Sequence, residues 1–260
     1  MIHKVFSTCL KGGYREVGLG PAIATIGLSL ALSGSLSASP FEGPWVETKS
    51  LVLSNGDTSS PILGTGEADS AGGAMYATFE PVTLQVGESI TLKADLRIKG
   101  SNSMNVDEAL RIGFFDRSGN SGTTGWKGYL AATRNKNGAY AIFKRSGTDA
   151  GEFNSVNSSG SYLPDSGNTS SGVLGSKSFY LEETVTRTGT GITVTASFTQ
   201  TSTGAEKYYF SLTATTVDMS PLTTTFDAVG FATSGLGAEE ILLSNVELVR
   251  PNTGLSANSH

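Results

Sequence analysis

The chain has 260 residues, 33 of them glycine, with 16% charged side chains and a formal net charge of −5. Apolar runs that recur along its length exclude a disordered chain, and the acidic balance argues against nucleic acid, which needs a broad cationic footprint. One cysteine and two histidines leave little for metal or imidazole chemistry.

The first segment stands apart. Lys4, Lys11 and Arg15 precede the uncharged run "VGLGPAIATIGLSLALSGSLSAS". A basic start, an apolar middle and small residues at the end predict a secretory signal over residues 1–37, with Ser35 and Ser37 at the cleavage positions. A retained membrane anchor is the alternative, since the run approaches the length of a span. Cleavage removes Lys4, Lys11, Arg15 and Glu16, so 18 basic and 23 acidic residues become 15 and 22, a net charge of −7. His3 and Cys9 leave with it, and His260 is then the one histidine. Ser-His-Asp and Cys-His sites need an imidazole base, and zinc and most copper sites need His or Cys ligands. The expected product is a protein of the periplasm or medium, without stable membrane insertion.

Residues 38–250 read as strands. The first candidates are 46–54 and 74–79. In "SITLKADLRIK", Ile90, Leu92, Ala94, Leu96 and Ile98 alternate with polar residues, the period of a half-buried strand. Residues 109–116, 128–134 and 139–145 follow, with "RNKNGAY" as a hairpin turn. Residues 146–176, rich in Ser, Gly and Asn, form a long loop. Beyond it come 178–187, the turn "TRTGTGI", and the alternating runs "GITVTASFTQ" and "KYYFSLTATT". The last strands are 226–232 and 240–249, followed by a polar tail, 251–260. About eleven short strands without a helical crossover predict an all-β fold of two stacked antiparallel sheets.

"PVTLQVGESITLKADLRIKG", "ALRIGFFDRSG", "GYLAATRNKNGAYAIFKRSG" and the closing "FDAVGFATSG…ILLSNVELV" together resemble the concanavalin A-like jelly-roll domains of secreted bacterial proteins, over residues 41 to 250. The resemblance implies a jelly-roll β-sandwich and a function among lectins, glycan-binding modules, glycoside hydrolases and polysaccharide lyases. The Glu-x-Asp-x-x-Glu signature of jelly-roll glucanases is absent. The Tyr-plus-His pairing of jelly-roll alginate lyases cannot be completed.

Charge is unevenly spread. From Ala109 to Arg145 there are seven positives, Arg111, Arg117, Lys127, Arg134, Lys136, Lys144 and Arg145, against Asp116. This segment therefore carries +6 and the rest of the mature chain −13. Strand parity offers Arg111, Phe115, Tyr129, Tyr140 and Lys144 as one face, with Trp126 in the preceding loop. Aromatic rings stack on sugar faces and guanidinium forks bind carboxylate or sulfate, so such a face suits an anionic polysaccharide. The plainer reading is a set of charges that keeps sheet edges soluble.

Other candidates are local. Asp116, Ser118 and Asn120 alternate as in a calcium loop, but Lys127 stands where an EF-hand places glutamate. A plain turn is expected, with a structural calcium as the alternative and no other cofactor called for. Glu183 falls on the apolar parity of "FYLEETVTR". A bulge that turns it outward is expected; the alternative is a desolvated carboxylate with a raised pKa. Trp45 and Tyr76 read as core or edge aromatics.

Two functional readings follow. One is an exported, non-catalytic glycan-binding domain. The other is a uronate lyase, with Tyr140 or Tyr129 as base and Arg111 and Lys144 neutralising the substrate carboxylate. A structural surface protein is the third possibility.

Overall fold

The computed structural model describes residues 41–49, 51–55, 62–65, 73–99, 110–134, 139–146, 162–163, 178–201, 211–233 and 240–251. All lie within one compact unit, Ser37–His260. The expected signal segment, the turn at 135–138, most of the loop 146–176 and the tail beyond Pro251 lie outside the described residues.

The strands are β1 (Val46–Lys49), β2 (Leu51–Asn55), β3 (Ile62–Thr65), β4 (Gly73–Thr83), β5 (Ser89–Lys99), β6 (Leu110–Asp116) and β7 (Lys127–Arg134). They continue as β8 (Ala139–Ser146), β9 (Tyr162–Leu163), β10 (Ser178–Arg187), β11 (Ile192–Gln200), β12 (Ser211–Asp218), β13 (Thr225–Thr233) and β14 (Glu240–Val249). A front sheet is ordered β1-β4-β13-β6-β7-β8-β9, and a back sheet β12-β11-β10-β5-β14-β3-β2. The observed pairs are antiparallel.

The wrap is that of a jelly roll. β4 runs on into β5 and crosses from front to back, and β13 and β14 do the same. The two ribbons pair in both layers, β13 with β4 in front and β14 with β5 behind. The expected two-sheet antiparallel sandwich is therefore what the chain forms. The candidate strand 46–54 is divided between β1 in front and β2 behind, while β3 and β9 fall where no strand was expected.

The sandwich core follows from alternation. Ile90, Leu92, Ala94 and Leu96 of β5, Leu181 and Val185 of β10, and Val194, Ala196 and Phe198 of β11 face inward. They meet Met75, Ala77, Phe79, Ile112, Phe114, Val229 and Phe231 from the front sheet. Phe179 stacks on Phe198 with ring centroids 4.4 Å apart, and Trp45 packs on Phe41 and Phe231. Each fully buried large apolar side chain contributes about 1.5 to 3 kcal/mol. The outward positions of the back sheet carry hydroxyls in register: Thr91, Thr184, Thr195 and Thr215 stand side by side across β5, β10, β11 and β12. Thr91 and Thr184 share a 2.9 Å hydrogen bond.

Candidate functional site

Register decides which of the basic and aromatic residues share a face. Phe114 pairs with Tyr129 and Phe115 with Gly128, so Tyr129 lies on the Phe114 side of the front sheet. Tyr129 pairs in turn with Lys144. Phe114 and Tyr129 belong to the core between the sheets, whereas Phe115 and Trp126 belong to a second cluster on the outer face. Arg111 pairs with Ala132, which joins Phe115 and Trp126 in that outer cluster. The expected single face is therefore two faces. Arg111, Phe115 and Trp126 lie outside, and Tyr129 and Lys144 inside. Tyr140 pairs with Thr133, which places its position on the inner parity of Ile142 and Lys144; its side chain lies outside the described residues. The correction has a simple cause, because parity along one strand does not fix the register to the next, and a slip of one residue moves every side chain across the sheet.

The outer layer is built around Trp126. Its ring meets Tyr76 edge-on at 5.0 Å and Phe115 at 5.8 Å. Ala74, Leu130, Ala132, Ala141, Phe143, Ala228 and Ala232 complete the cluster. Arg145, which pairs with Gly128, holds the loop before β7 against this face. Its Nε donates to Trp126 O at 3.0 Å and its Nη2 to Thr123 O at 2.8 Å. The β6–β7 approach is close enough to demand glycine. A Cβ on Gly128 would sit 2.0 Å from Phe114 O, and one on Gly113 would sit 2.4 Å from Tyr129 O. Trp126 is 0% exposed, Phe115 0% and Arg111 4%, so this face is enclosed rather than open to a ligand.

The inner pair forms a clasp between the layers. Asp218 closes β12 at the edge of the back sheet, and its carboxylate takes the Tyr129 hydroxyl at 2.7 Å. Lys144 Nζ lies 3.0 Å from Asp218 Oδ1 and 2.8 Å from Oδ2, and it also donates to Ser220 O. The Ser220 amide donates to Oδ1 at 2.9 Å. Burial alone would raise the Asp218 carboxyl, but the hydrogen bonds from Lys144, Tyr129 and the Ser220 amide outweigh it and hold it below its ordinary value. The Tyr129 phenol is pushed far up by burial and then by Asp218, so it keeps its proton as a donor. Sequence reading missed Asp218 and took Arg145 only as one of the basic residues of the segment 109–145. The signal for Asp218 was an acid on the inward parity of Ala214 and Thr216, at the end of a strand.

The calcium-loop candidates close into a turn. Asn120 N donates to Arg117 O at 2.9 Å, with Ser118 at φ 52° and Gly119 at φ 77°. Both central residues are thus left-handed, the type I′ arrangement. Asp116 Oδ1 accepts the Ser118 amide at 2.8 Å, and Oδ2 accepts the Thr223 hydroxyl at 2.7 Å. The Asn120 side-chain amide donates to Arg117 O. Asp116 thus ties the turn to Thr223, while the Ser118 hydroxyl and the Asn120 side-chain amide donate within it. Among the described residues no three His, Cys, Asp or Glu side chains are grouped to hold a metal. Beside the turn, Arg117 donates its amide and its Nε to Asp227 at 2.8 and 3.0 Å.

Glu183 is not turned outward. The register runs unbroken through it, opposite Leu92 of β5 and Ala196 of β11, and it is 0% exposed. Neither carboxyl oxygen has a hydrogen-bond partner. Burial pushes its carboxyl well above the usual range. The expected bulge is absent because nine consecutive pairs tie β10 to each neighbour.

The sequence matches no protein-family profile and no curated protein. Solved structures do show likeness. The VIP36 exoplasmic/lumenal domain in its calcium- and mannose-bound form is 11% identical at a TM-score of 0.46, with 84% of this chain and 90% of that one covered. The Emp46p carbohydrate recognition domain, in its metal-free form, is 12% identical at 0.46, covering 81% and 94%. The Bauhinia forficata lectin in complex with GalNAc is 11% identical at 0.45, covering 82% and 97%.

Proposed function

We propose that the chain is an exported, non-catalytic jelly-roll domain that binds an anionic polysaccharide. The observation that carries this reading is the contrast between the two outer faces. The back sheet has the hydroxyl-rich face expected of an antiparallel sheet against water. The front sheet instead carries Arg111 and Arg145, 4% and 3% exposed, on the face that also holds Phe115, Trp126 and Phe143, with Arg145 bound to Trp126 O and Thr123 O. Guanidinium groups next to aromatic rings are the side chains that recognise acidic sugars. The +6 charge of residues 109–145, against −13 elsewhere in the chain after the signal, supports an anionic ligand. Export is supported by the basic-apolar-small layout of residues 1–37. No helix among the described residues is long and apolar enough to cross a membrane.

The lyase reading asks Tyr129 to lose a proton, and its hydrogen bond to Asp218 opposes that. Because Trp126 and Phe115 are enclosed, glycan binding at this face must move the layer around them. The test is native electrophoresis through gels containing alginate, pectin, a sulfated glycan or a neutral glucan, with Trp126 fluorescence followed in a Trp45→Phe background. Retardation by the acidic polymers with a change in Trp126 emission is expected. No retardation in any gel overturns the binding function, and equal retardation by neutral glucan overturns the anionic ligand. Release of unsaturated, ultraviolet-absorbing sugar ends overturns the non-catalytic assignment.

A further inference from the structure

Glu183 is a buried acid separate from both the clasp and the outer cluster. It occupies the middle of β10, on the same inward face as Leu181 and Val185. The positions beside it on both neighbouring strands are apolar. The inward residues of β5 are Ile90, Leu92, Ala94 and Leu96, and those of β11 are Ile192, Val194, Ala196 and Phe198, with Gln200 at the end of the strand opposite Phe179. From the opposite sheet, β6 turns Leu110, Ile112 and Phe114 inward. Among the described residues the other charged or titratable groups turned toward the core are Tyr129, Lys144 and Asp218, which bind one another, Arg187, which stands four residues along β10 from Glu183 and donates to Leu84 O, and Arg250, which lies over the Phe79 ring. Asp218 pairs with Ile192, four residues along β11 from the Ala196 that pairs with Glu183. Four strand residues span about 13 Å, so the clasp cannot reach the buried carboxyl.

An ionised carboxylate in such surroundings lacks both water and hydrogen-bond donors, and its burial costs far more than that of the neutral acid. We infer that Glu183 is a proton switch on the closed sandwich: with the carboxyl neutral the two sheets stay packed, and ionisation loosens β10 and admits water between them. Folding and protonation are then linked, with a definite sign. The unfolded chain ionises this group at an ordinary value of about 4.5 while the folded chain resists it. Above that value the unfolded state holds fewer protons, so stability is fully present in acid and is lost as pH rises toward the folded value. The domain is thus held most firmly in mildly acidic surroundings, above the range in which Asp218 becomes protonated.

The test is urea unfolding of the full chain from pH 5 to pH 8, for wild type, Glu183→Gln and Glu183→Leu. The ratio of wild-type to variant folding constants is expected to fall about tenfold per pH unit from pH 5 until the folded carboxyl ionises. Other groups cancel in that ratio. Parallel profiles for wild type and both variants overturn the switch. Should neither variant fold, infrared spectroscopy of the wild type decides. The carbonyl stretch of a protonated carboxylic acid is expected to persist at pH 7, and its absence overturns the inference.

Discussion

Replacing Asp218 with alanine tests the clasp between the sheets. The substitution removes the acceptor of the Tyr129 hydroxyl at 2.7 Å, of Lys144 Nζ at 2.8 to 3.0 Å and of the Ser220 amide at 2.9 Å. Removing one member of a buried pair costs about 3 to 5 kcal/mol because the remaining partner stays desolvated. Lys144 is 19% exposed and can turn part of its ammonium to water, which places the loss near the lower end, about 3 kcal/mol. For a domain of this size that lowers Tm by about 6 to 12 °C. Tyr129→Phe leaves the ion pair intact and costs about 1.5 to 3 kcal/mol, the value of one hydrogen bond to a charged group. Urea unfolding followed by tryptophan fluorescence reads both, since Trp45 and Trp126 are buried. Because the folded Asp218 carboxyl lies below its unfolded value of 3.8, its contribution is present above that pH and lost as pH falls below it. Asp218→Asn therefore removes a step in acid stability. A loss under about 1 kcal/mol for Asp218→Ala, with an unchanged acid profile, refutes the clasp.

Gly128→Ala is expected to cost about 3 kcal/mol or more, since its Cβ would strike Phe114 O and β6 and β7 cannot separate without breaking their ladder. Circular dichroism melting checks this, and a wild-type Tm would show that the strands part more easily than the geometry allows. Asp227→Asn weakens the partly exposed pair with Arg117 and is expected to cost about 1 kcal/mol at low salt, less at high salt. Urea midpoints at two ionic strengths measure it, and a salt-independent loss would assign the effect to the Arg117 amide bond instead.

Much of the architecture is legible in the sequence because the back sheet alternates. β5, β10 and β11 place apolar residues at nearly every second position, Glu183 and Gln200 excepted, and mostly threonine, serine or charge between them, which fixes both the strand and its inward face. The front sheet follows a different rule. "LRIGFF", "GYLAAT" and "AYAIF" are mostly apolar at both parities, with glycine, alanine or phenylalanine among the positions between the inward residues, the mark of burial on both faces. Taken as half-exposed strands, they placed Arg111, Phe115, Tyr129 and Lys144 on one accessible face. Pairing separates them, because the step from Phe115 to Gly128 is set by the glycine contacts of β6 and β7, which parity cannot see. The partnership of Asp218 was hidden for a related reason: Tyr129 and Lys144 lie in the opposite sheet. Glu183 was visible as an acid on apolar parity, and only the unbroken pairing shows that the core accepts it.

Calorimetric titration of an oligouronate into the chain tests the proposed recognition of an acidic glycan. Saturable binding that weakens as salt screens the cationic segment is expected, together with a change in Trp126 emission. Absence of binding heat at low salt, or binding that neither salt nor Trp126 registers, would contradict it.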